Sequence, residues 1–364
     1  MASAPAAGAA GPGGEGVRVA VLGGTGAVGT ELLRLLEARG FPVAGDPVVL
    51  ASARSAGRRV RWRDGELTVR EVTPDAFDGI DVALFSAGAT RSREWAPVAA
   101  AAGAVVIDNS SAFRGDPDVP LVVSEVNPDA AAVRPKGIIA NPNCTTMTLM
   151  VPVKPLHDAF GLEAMVATSY QAAGGAGQSG IDELVNVHQK LDGRVEDLRT
   201  RGAEVEGSLT TSVFPRPLAW NVVPHCGSYR DDRYTDEERK LVDESRKILA
   251  LPDLAVSPTC VRVPVLVGHA IAARLTFAHE VTHADVVAAL DGAPGLALAD
   301  AVGPAGEVLE LPTPLASAGR DEVLVGRIRE DYGDARSINL FVAGDNLLKG
   351  AALNAVQIAE LVIR

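Results

Sequence analysis

Aromatic side chains are scarce: Phe, Trp and Tyr together make up 4% of the 364 residues. A core must therefore come mainly from Ala, Val and Leu, which the 47% hydrophobic content supplies. No apolar run approaches the roughly 20 residues that span a bilayer. Basic residues are outnumbered, 34 against 46 acidic, for a net charge of −12. No basic cluster interleaved with aromatics occurs, so the footprint of a nucleic-acid binder is missing. The few positive charges matter more for that reason, because an acidic protein that handles anions must place its cations locally. Cysteine occurs only at 144, 226 and 260, without a CxxC pair. That excludes a disulfide framework or a cysteine zinc site and fits a reducing compartment. Residues Met1 to Gly16 are rich in Ala, Gly and Pro but lack the basic start and apolar core of a signal peptide. They read as a disordered tail on a soluble, cytoplasmic protein, with no metal expected.

The length predicts about two domains. A β-rich run, Val17 to Leu22, meets Gly23-Gly24-Thr25-Gly26-Ala27-Val28-Gly29, and a helical pattern follows from Thr30 to Glu37. Strand, glycine turn and helix form a dinucleotide-binding context, in GxxGxxG form rather than strict GxGxxG. Glycine lets the backbone approach a pyrophosphate, which then sits on the helix N-terminus. After the next apolar run an NAD site usually carries Asp or Glu for the ribose 2′-hydroxyl. This chain instead offers Ser52, Arg54, Ser55 and Arg58. Arginine and hydroxyls would accept a 2′-phosphate, so the expected cofactor is NADP(H); a plain solvated basic loop is the competing reading. Further strands are expected at Asp81 to Ser86 and Ala104 to Ile107, the latter running into Asp108-Asn109-Ser110-Ser111-Ala112-Phe113-Arg114. Arg114 thus stands at the strand edge where open α/β sheets bind ligands, as an anion clamp or as a surface ion pair.

Asn141-Pro142-Asn143-Cys144-Thr145-Thr146 places a cysteine where a strand hands over to a helix. Free N–H groups and the helix dipole there favour thiolate, the nucleophilic form. A small, inert, buried cysteine is the alternative. Pro152 and Pro155 follow, which predicts a short or kinked helix. Beyond it lie a strand ending at Gln171, a glycine-rich loop to Gly177, and a charged helical stretch from Glu183 to Glu206. A Pro-punctuated segment spans Phe214 to Pro224, and Thr235 opens an amphipathic helix to Leu249. Val261 to His269 reads as one strand, and Ala270 to Phe277 and Leu340 to Ala343 supply more. Strands outnumber helices here, which predicts an α+β unit with a mostly antiparallel sheet.

In order, GGTGAVG, SARSAG, DNSSAFR, NPNCTT, SYQAAGGAG, ESRKIL, TCVRVPVLVGH and GDNLLKGAA resemble the aspartate-β-semialdehyde dehydrogenase family over about residues 17 to 361. The resemblance implies a Rossmann-type NADP-binding domain, residues 17–143, completed by a C-terminal helix in 345–364. It implies a catalytic and dimerisation domain over 144–344, and a homodimer. The activity implied is NADPH-dependent reductive dephosphorylation of aspartyl-4-phosphate to aspartate semialdehyde and phosphate. That step serves the biosynthesis of lysine through diaminopimelate, threonine and methionine. Cys144 matches the family nucleophile, which suits thioester formation. His269, with a pKa near neutrality, matches the acid–base residue, and Gln171 the group that orients the acyl carbon or donates to the oxyanion. Arg262 matches the α-carboxylate ligand, a bidentate task for guanidinium. Glu244 matches the partner of the α-ammonium, and Lys247 with Arg114 the phosphate pair. Asn143 matches a residue that helps hold substrate or cofactor, and Asn346 one near the nicotinamide.

Gly174 departs from the family, which often has serine there. His225, Cys226 and Cys260 match no chemical role and read as structural. N-acetyl-glutamyl-phosphate reductase is the nearest alternative, but its neutral substrate amine has no use for a carboxylate partner, and its usual Gly-Cys-Tyr-Pro-Thr differs from Asn143-Cys144-Thr145-Thr146. A glyceraldehyde-3-phosphate dehydrogenase-like role fits the SARSAG loop less well. A catalytically silent paralogue would be expected to lack Cys144, Arg262 or His269, and all three are present.

Overall fold

The computed structural model describes residues 16–363; most of the alanine- and glycine-rich tail lies outside them. Short apolar runs form one six-stranded parallel sheet in the order β5-β2-β1-β6-β7-β8. Its strands are β1 (Val19–Leu22), β2 (Val48–Ala51), β5 (Arg70–Glu71), β6 (Val82–Phe85), β7 (Val105–Asp108) and β8 (Ile138–Ala140). Both faces are covered, so β1 and β6 are buried at every position, as parallel strands require. Helices α1 (Ala27–Ala38) and α2 (Ala89–Ala101) are its crossovers. A hairpin, β3 (Arg59–Trp62) and β4 (Gly65–Thr68), is an addition that the alternating arginines concealed.

The second sheet has the order β10-β9-β11-β14-β13-β12. Its strands are β9 (Leu162–Gln171), β10 (Ala255–Arg262), β11 (His269–Phe277), β12 (Leu296–Leu298), β13 (Val323–Glu330) and β14 (Ser337–Gly344). The three central pairings are antiparallel, and β10 and β12 join at the edges in parallel. The expected single strand from Val261 to His269 is two strands. Val263 to Gly268 leaves the sheet, because Pro264 donates no ladder bond and Gly268 turns back at φ +95°.

Helix α3 (Cys144–Phe160) packs on this sheet with α7 (Asp236–Leu249) and α8 (His283–Leu290). It runs unbroken for 17 residues despite Pro152 and Pro155, contrary to the expected short or kinked helix. Residues 145–153 are all buried, so packing around the helix outweighs the lost backbone bonds. The charged stretch from Glu183 to Glu206 is three helices rather than one: α4 (Gln178–Lys190), α5 (Val195–Thr200) and α6 (Gly202–Ser208). Gly193, at φ +73°, helps part the first two. A one-turn helix, α9 (Pro314–Ser317), precedes β13. After β14 a π-helical turn, Leu348–Ala352, leads into α10 (Leu353–Val362). That last helix packs on α1 and shares its core with Val19, Val21 and Leu32.

Candidate active site

The open ends of β9, β10 and β14 and the start of β11 meet at one edge of the second sheet. Register sets Arg262 beside Gln171, Tyr170 beside Ala270 and His269 beside Gly344. The N-terminus of α3 points into that edge. Its cap is Asn143, whose Oδ1 accepts from Thr145 N–H at 3.0 Å and from Thr146 N–H at 3.4 Å. The N–H of Cys144 itself takes no partner among the described residues.

Cys144 Sγ lies 3.2 Å from His269 Nε2. On the ring's other side Nδ1 accepts the backbone N–H of Ala172 at 3.0 Å. The expected near-neutral histidine is not what this setting gives. Complete burial first, and the charge of Arg262 second, push its pKa down to about 3, although Glu237 works the other way. The thiol moves against expectation as well. Burial pushes Cys144 up to about 11 and Glu237 adds to this, while Arg262, Arg114 and Lys240 pull it down. The helix N-terminus is in place, but desolvation is the largest influence on the sulfur and raises its pKa.

Arg262 is buried, and its Nη1 donates to Ala172 C=O at 3.0 Å. Glycine at 175 makes this crowding possible. A Cβ there would stand 2.5 Å from Arg262 Nη1 and 3.1 Å from His269 Nε2. Gln171 is turned away from the expected oxyanion role, for its Nε2 donates to Thr145 Oγ1 at 2.9 Å and Ser169 Oγ at 3.3 Å. Both amide hydrogens are thereby used. Asn346 Oδ1 accepts Gly268 N–H at 2.8 Å and ties the end of β14 to the turn before His269. Gly174 is required here because a Cβ would approach Leu266 C=O to 2.8 Å.

Glu244 and Lys247 are occupied otherwise than expected. Glu244 Oε2 accepts Asn143 N–H at 2.6 Å and Oε1 pairs with Arg114 Nη1 at 3.2 Å. Lys247 Nζ donates to the carbonyls of Arg114, Asp116 and Val119, at 2.9, 2.7 and 2.8 Å, which exhausts its three hydrogens. The pair braces the loop that carries Arg114. Arg114 is held further by Asn141 C=O at 2.9 Å and Asn109 C=O at 3.0 Å.

Two residues that the sequence reading passed over stand closer to the chemistry. Glu237 Oε2 accepts Asn143 Nδ2–H at 2.8 Å, and Lys240 pairs with the same carboxylate. Burial alone would raise the Glu237 pKa, but Lys240, the Asn143 amide and Arg262 hold it below the ordinary range. Glu237-x-x-Lys240 repeats the spacing of Glu244-x-x-Lys247 seven residues earlier, two helical turns along the same face. That repetition was the available signal. Arg93, Arg114, Arg230, Lys240 and Lys247 line one cleft beside this face, together with Asp236, Asp243 and Glu244.

In the first sheet, a Cβ at Gly23 would lie 2.3 Å from Ser86 C=O, and one at Gly29 2.1 Å from Gly23 C=O. Both are needed for close packing of turn, strand and helix. Gly26 is the N-cap of α1; no side chain caps this end, and the first turn has no acidic residue. Thr25, Ala27 and Val28 are partly exposed around it. Ser52, Arg54 and Ser55 form a 3₁₀ turn after β2, where Arg54 is exposed and makes no ion pair among the described residues. Within the described residues no cluster of three or more His, Cys, Asp or Glu could hold a metal ion, and no helix is long and apolar enough to cross a membrane.

Residues 18–133 match the family model described as semialdehyde dehydrogenase, NAD binding domain, and residues 153–349 the one described as semialdehyde dehydrogenase, dimerisation domain. The aspartate-semialdehyde dehydrogenase of Streptomyces akiyoshiensis is 50% identical over 95% of this chain and 98% of its own. That of Aquifex aeolicus is 44% identical over 96% and 98%. A crystal structure of Vibrio cholerae aspartate semialdehyde dehydrogenase II complexed with ASA is 42% identical, with a TM-score of 0.89 over 96% of this chain and 99% of that one. The Candida albicans enzyme with NADP has a TM-score of 0.71 at 25% identity, over 96% and 98%.

Proposed function

The chain belongs to the aspartate-semialdehyde dehydrogenase family, and from that premise we propose how its residues divide the reaction. It is an oxidoreductase of amino-acid biosynthesis that uses a nicotinamide cofactor. One observation carries the assignment of roles: Cys144 Sγ at the head of α3, 3.2 Å from His269, ringed by Arg262, Glu237, Arg114 and Lys240. These charges complement a substrate with a carboxylate, an ammonium and an acyl phosphate.

Cys144 attacks the acyl carbon, and phosphate departs to leave a thioester on sulfur. Arg262 holds the α-carboxylate. Glu237, held ionised by Lys240 and the Asn143 amide, takes the α-ammonium, whereas burial pushes the Glu244 carboxyl up. Arg114 and Lys240 receive the phosphate in place of Lys247. Substrate ammonium on Glu237 also cancels the carboxylate charge that raises the Cys144 thiol, so binding and activation are coupled. Asn143 orients the nucleophile as cap and Gln171 anchors the first turn through Thr145. Asn346 holds the turn that presents His269.

The cofactor we propose is NADP(H), which supplies the hydride when bound. The uncapped N-terminus of α1, with Gly23, Thr25, Gly26, Ala27, Val28 and Gly29, suits a pyrophosphate. Ser52, Arg54 and Ser55 suit a 2′-phosphate. Residues 17–143 with the C-terminal helix form the nucleotide unit, and 144–344 the catalytic unit. The second unit would pair two chains, and exposed Val166, Val185, Trp220 and Leu266 supply apolar surface for this. Free Cys144, Cys226 and Cys260 suit a reducing cytoplasm.

The test is the reverse assay. Aspartate semialdehyde, phosphate and NADP⁺ should yield NADPH, and folded protein that gives none refutes the reading. Cys144→Ser should lose turnover and keep NADP binding.

A further inference from the structure

We propose that Asn354 is a positioning residue for the substrate's phosphate: through Asn141 and Asn109 it fixes the guanidinium of Arg114 from the C-terminal helix. This rests on Arg114 receiving the phosphate, as proposed above. Asn109 and Asn141 each stand one residue beyond a strand end, after Asp108 of β7 and Ala140 of β8, which are paired in register. Parallel pairing therefore sets the two asparagines side by side, at the edge where such a sheet binds ligands. Asn141 Nδ2 donates to Asn109 Oδ1 at 2.6 Å. The same two residues offer Arg114 their backbone carbonyls, Asn141 to Nε at 2.9 Å and Asn109 to Nη2 at 3.0 Å. Glu244 takes a hydrogen of Nη1 at 3.2 Å. A guanidinium carries two hydrogens on each terminal nitrogen. Among the described residues, one on Nη1 and one on Nη2 are thus left for an anion. Lys247 braces the backbone of this loop; the asparagines aim its side chain.

The direction of both amides is dictated from behind. Ser124 N–H, which can only donate, meets Asn354 Oδ1 at 3.0 Å. Val122 C=O, which can only accept, meets Asn354 Nδ2 at 2.9 Å. Asn354 therefore turns its amide nitrogen toward Asn141 and donates to Oδ1 at 2.6 Å. Asn141 must then present its own nitrogen on the other side, where Ala351 C=O accepts at 3.0 Å along with Asn109. Lys349 Nζ closes the far end, donating to Asn354 Oδ1 at 3.0 Å and to Gln357 Oε1 at 2.8 Å. Lys349, Asn354 and Asn141 are wholly buried. Reversing either amide would set acceptor against acceptor in a buried place, so a single arrangement holds. The contacts are continuous from α10 to Arg114, which is the physical requirement for one residue to place another at a distance.

The test is a double-mutant cycle on the full-length protein, read in the reverse assay as the KM for phosphate, for aspartate semialdehyde and for NADP⁺. Asn354→Asp keeps an oxygen for Ser124 N–H and Lys349 but turns its second oxygen on Asn141 Oδ1 and Val122 C=O. It should raise the KM for phosphate about tenfold and leave the other two unchanged. Asn354→Ser, shorter and without the amide donor, should do the same, and it carries the test if the aspartate variant does not fold. Arg114→Ala should raise the KM for phosphate by more. Adding either Asn354 substitution to Arg114→Ala should raise it no further, because the asparagine acts only through the arginine.

An unchanged KM for phosphate in the folded Asn354 variants overturns the inference. So does a parallel rise in all three KM values, or effects of the Asn354 and Arg114 substitutions that multiply; either would make Asn354 a purely structural residue. An unchanged KM for phosphate in Arg114→Ala would instead refute the phosphate role of Arg114, and the inference would fall with that reading.

Discussion

Asn143 and Glu237 are joined by a 2.8 Å hydrogen bond that links the cap of α3, just before Cys144, to the first turn of α7. Through it a carboxylate is held beside a thiol whose ionisation it opposes. Glu237→Gln should therefore lower the Cys144 pKa and speed its alkylation by iodoacetamide several-fold at about pH 8. The same variant should raise the KM for aspartate semialdehyde by about tenfold or more, from loss of the charged hydrogen bond to ammonium. Slower alkylation would contradict the electrostatic reading.

Arg54→Ala should raise the KM for NADP⁺ by about tenfold, the weight of one charge-assisted hydrogen bond, and leave that for NAD⁺ unchanged. Steady-state kinetics with both cofactors checks this. Equal effects on the two would place Arg54 away from the 2′-phosphate.

His269 gives stability a pH dependence of known sign. Its pKa falls from 6.5 to about 3 on folding, so the unfolded chain binds a proton that the folded ring refuses. The contribution is complete above the unfolded value and is lost as pH falls from there toward about 3, by at most about 1.4 kcal/mol per pH unit. Between about pH 6.5 and pH 5, thermal melts of the wild type should drop more than those of His269→Gln. Cys144 acts at the other end. Raised from 9.0 to about 11, it contributes stability below the lower value that is lost as pH climbs to the upper.

Lys349 is fully buried, and its ammonium faces Glu125, Ser124, Asn354 and Gln357. Lys349→Met should cost about 3 kcal/mol, chiefly because it leaves the half-buried Glu125 without its counter-ion. Adding Glu125→Gln should restore part of that. Urea midpoints measure both, and an unchanged midpoint in the single variant would show the pair to be dispensable.

The architecture was legible where local chemistry and tertiary packing agree. Val17 to Gly29 carries its strand, turn and helix in the order of its residues, and Thr235 with Glu238 forms the capping box that opens α7. Pro152 and Pro155 misled, because burial around α3 is a tertiary fact with no local sign. So did the run from Val261 to His269, whose hydrophobicity hides a turn. In the site, ring and sulfur were nameable from motif and residue type, but their ionisation was not, since desolvation depends on what surrounds them. Glu244 and Lys247 drew attention by motif, but packing engages Glu244 with Asn143 and Arg114 and spends all three Lys247 hydrogens on carbonyls, which no local pattern announces.

Gly350 lies in the π-helical turn after β14, and a Cβ there would stand 2.9 Å from that of Cys144. One wall of the Cys144 niche is thus drawn from a residue 206 positions further along the chain. A chain still on the ribosome can hold the cysteine but not the surface that shapes its surroundings. Synthesis itself then orders the events: the niche closes only after Gly350 has been added, and a chain cut short before it carries a cysteine without that wall.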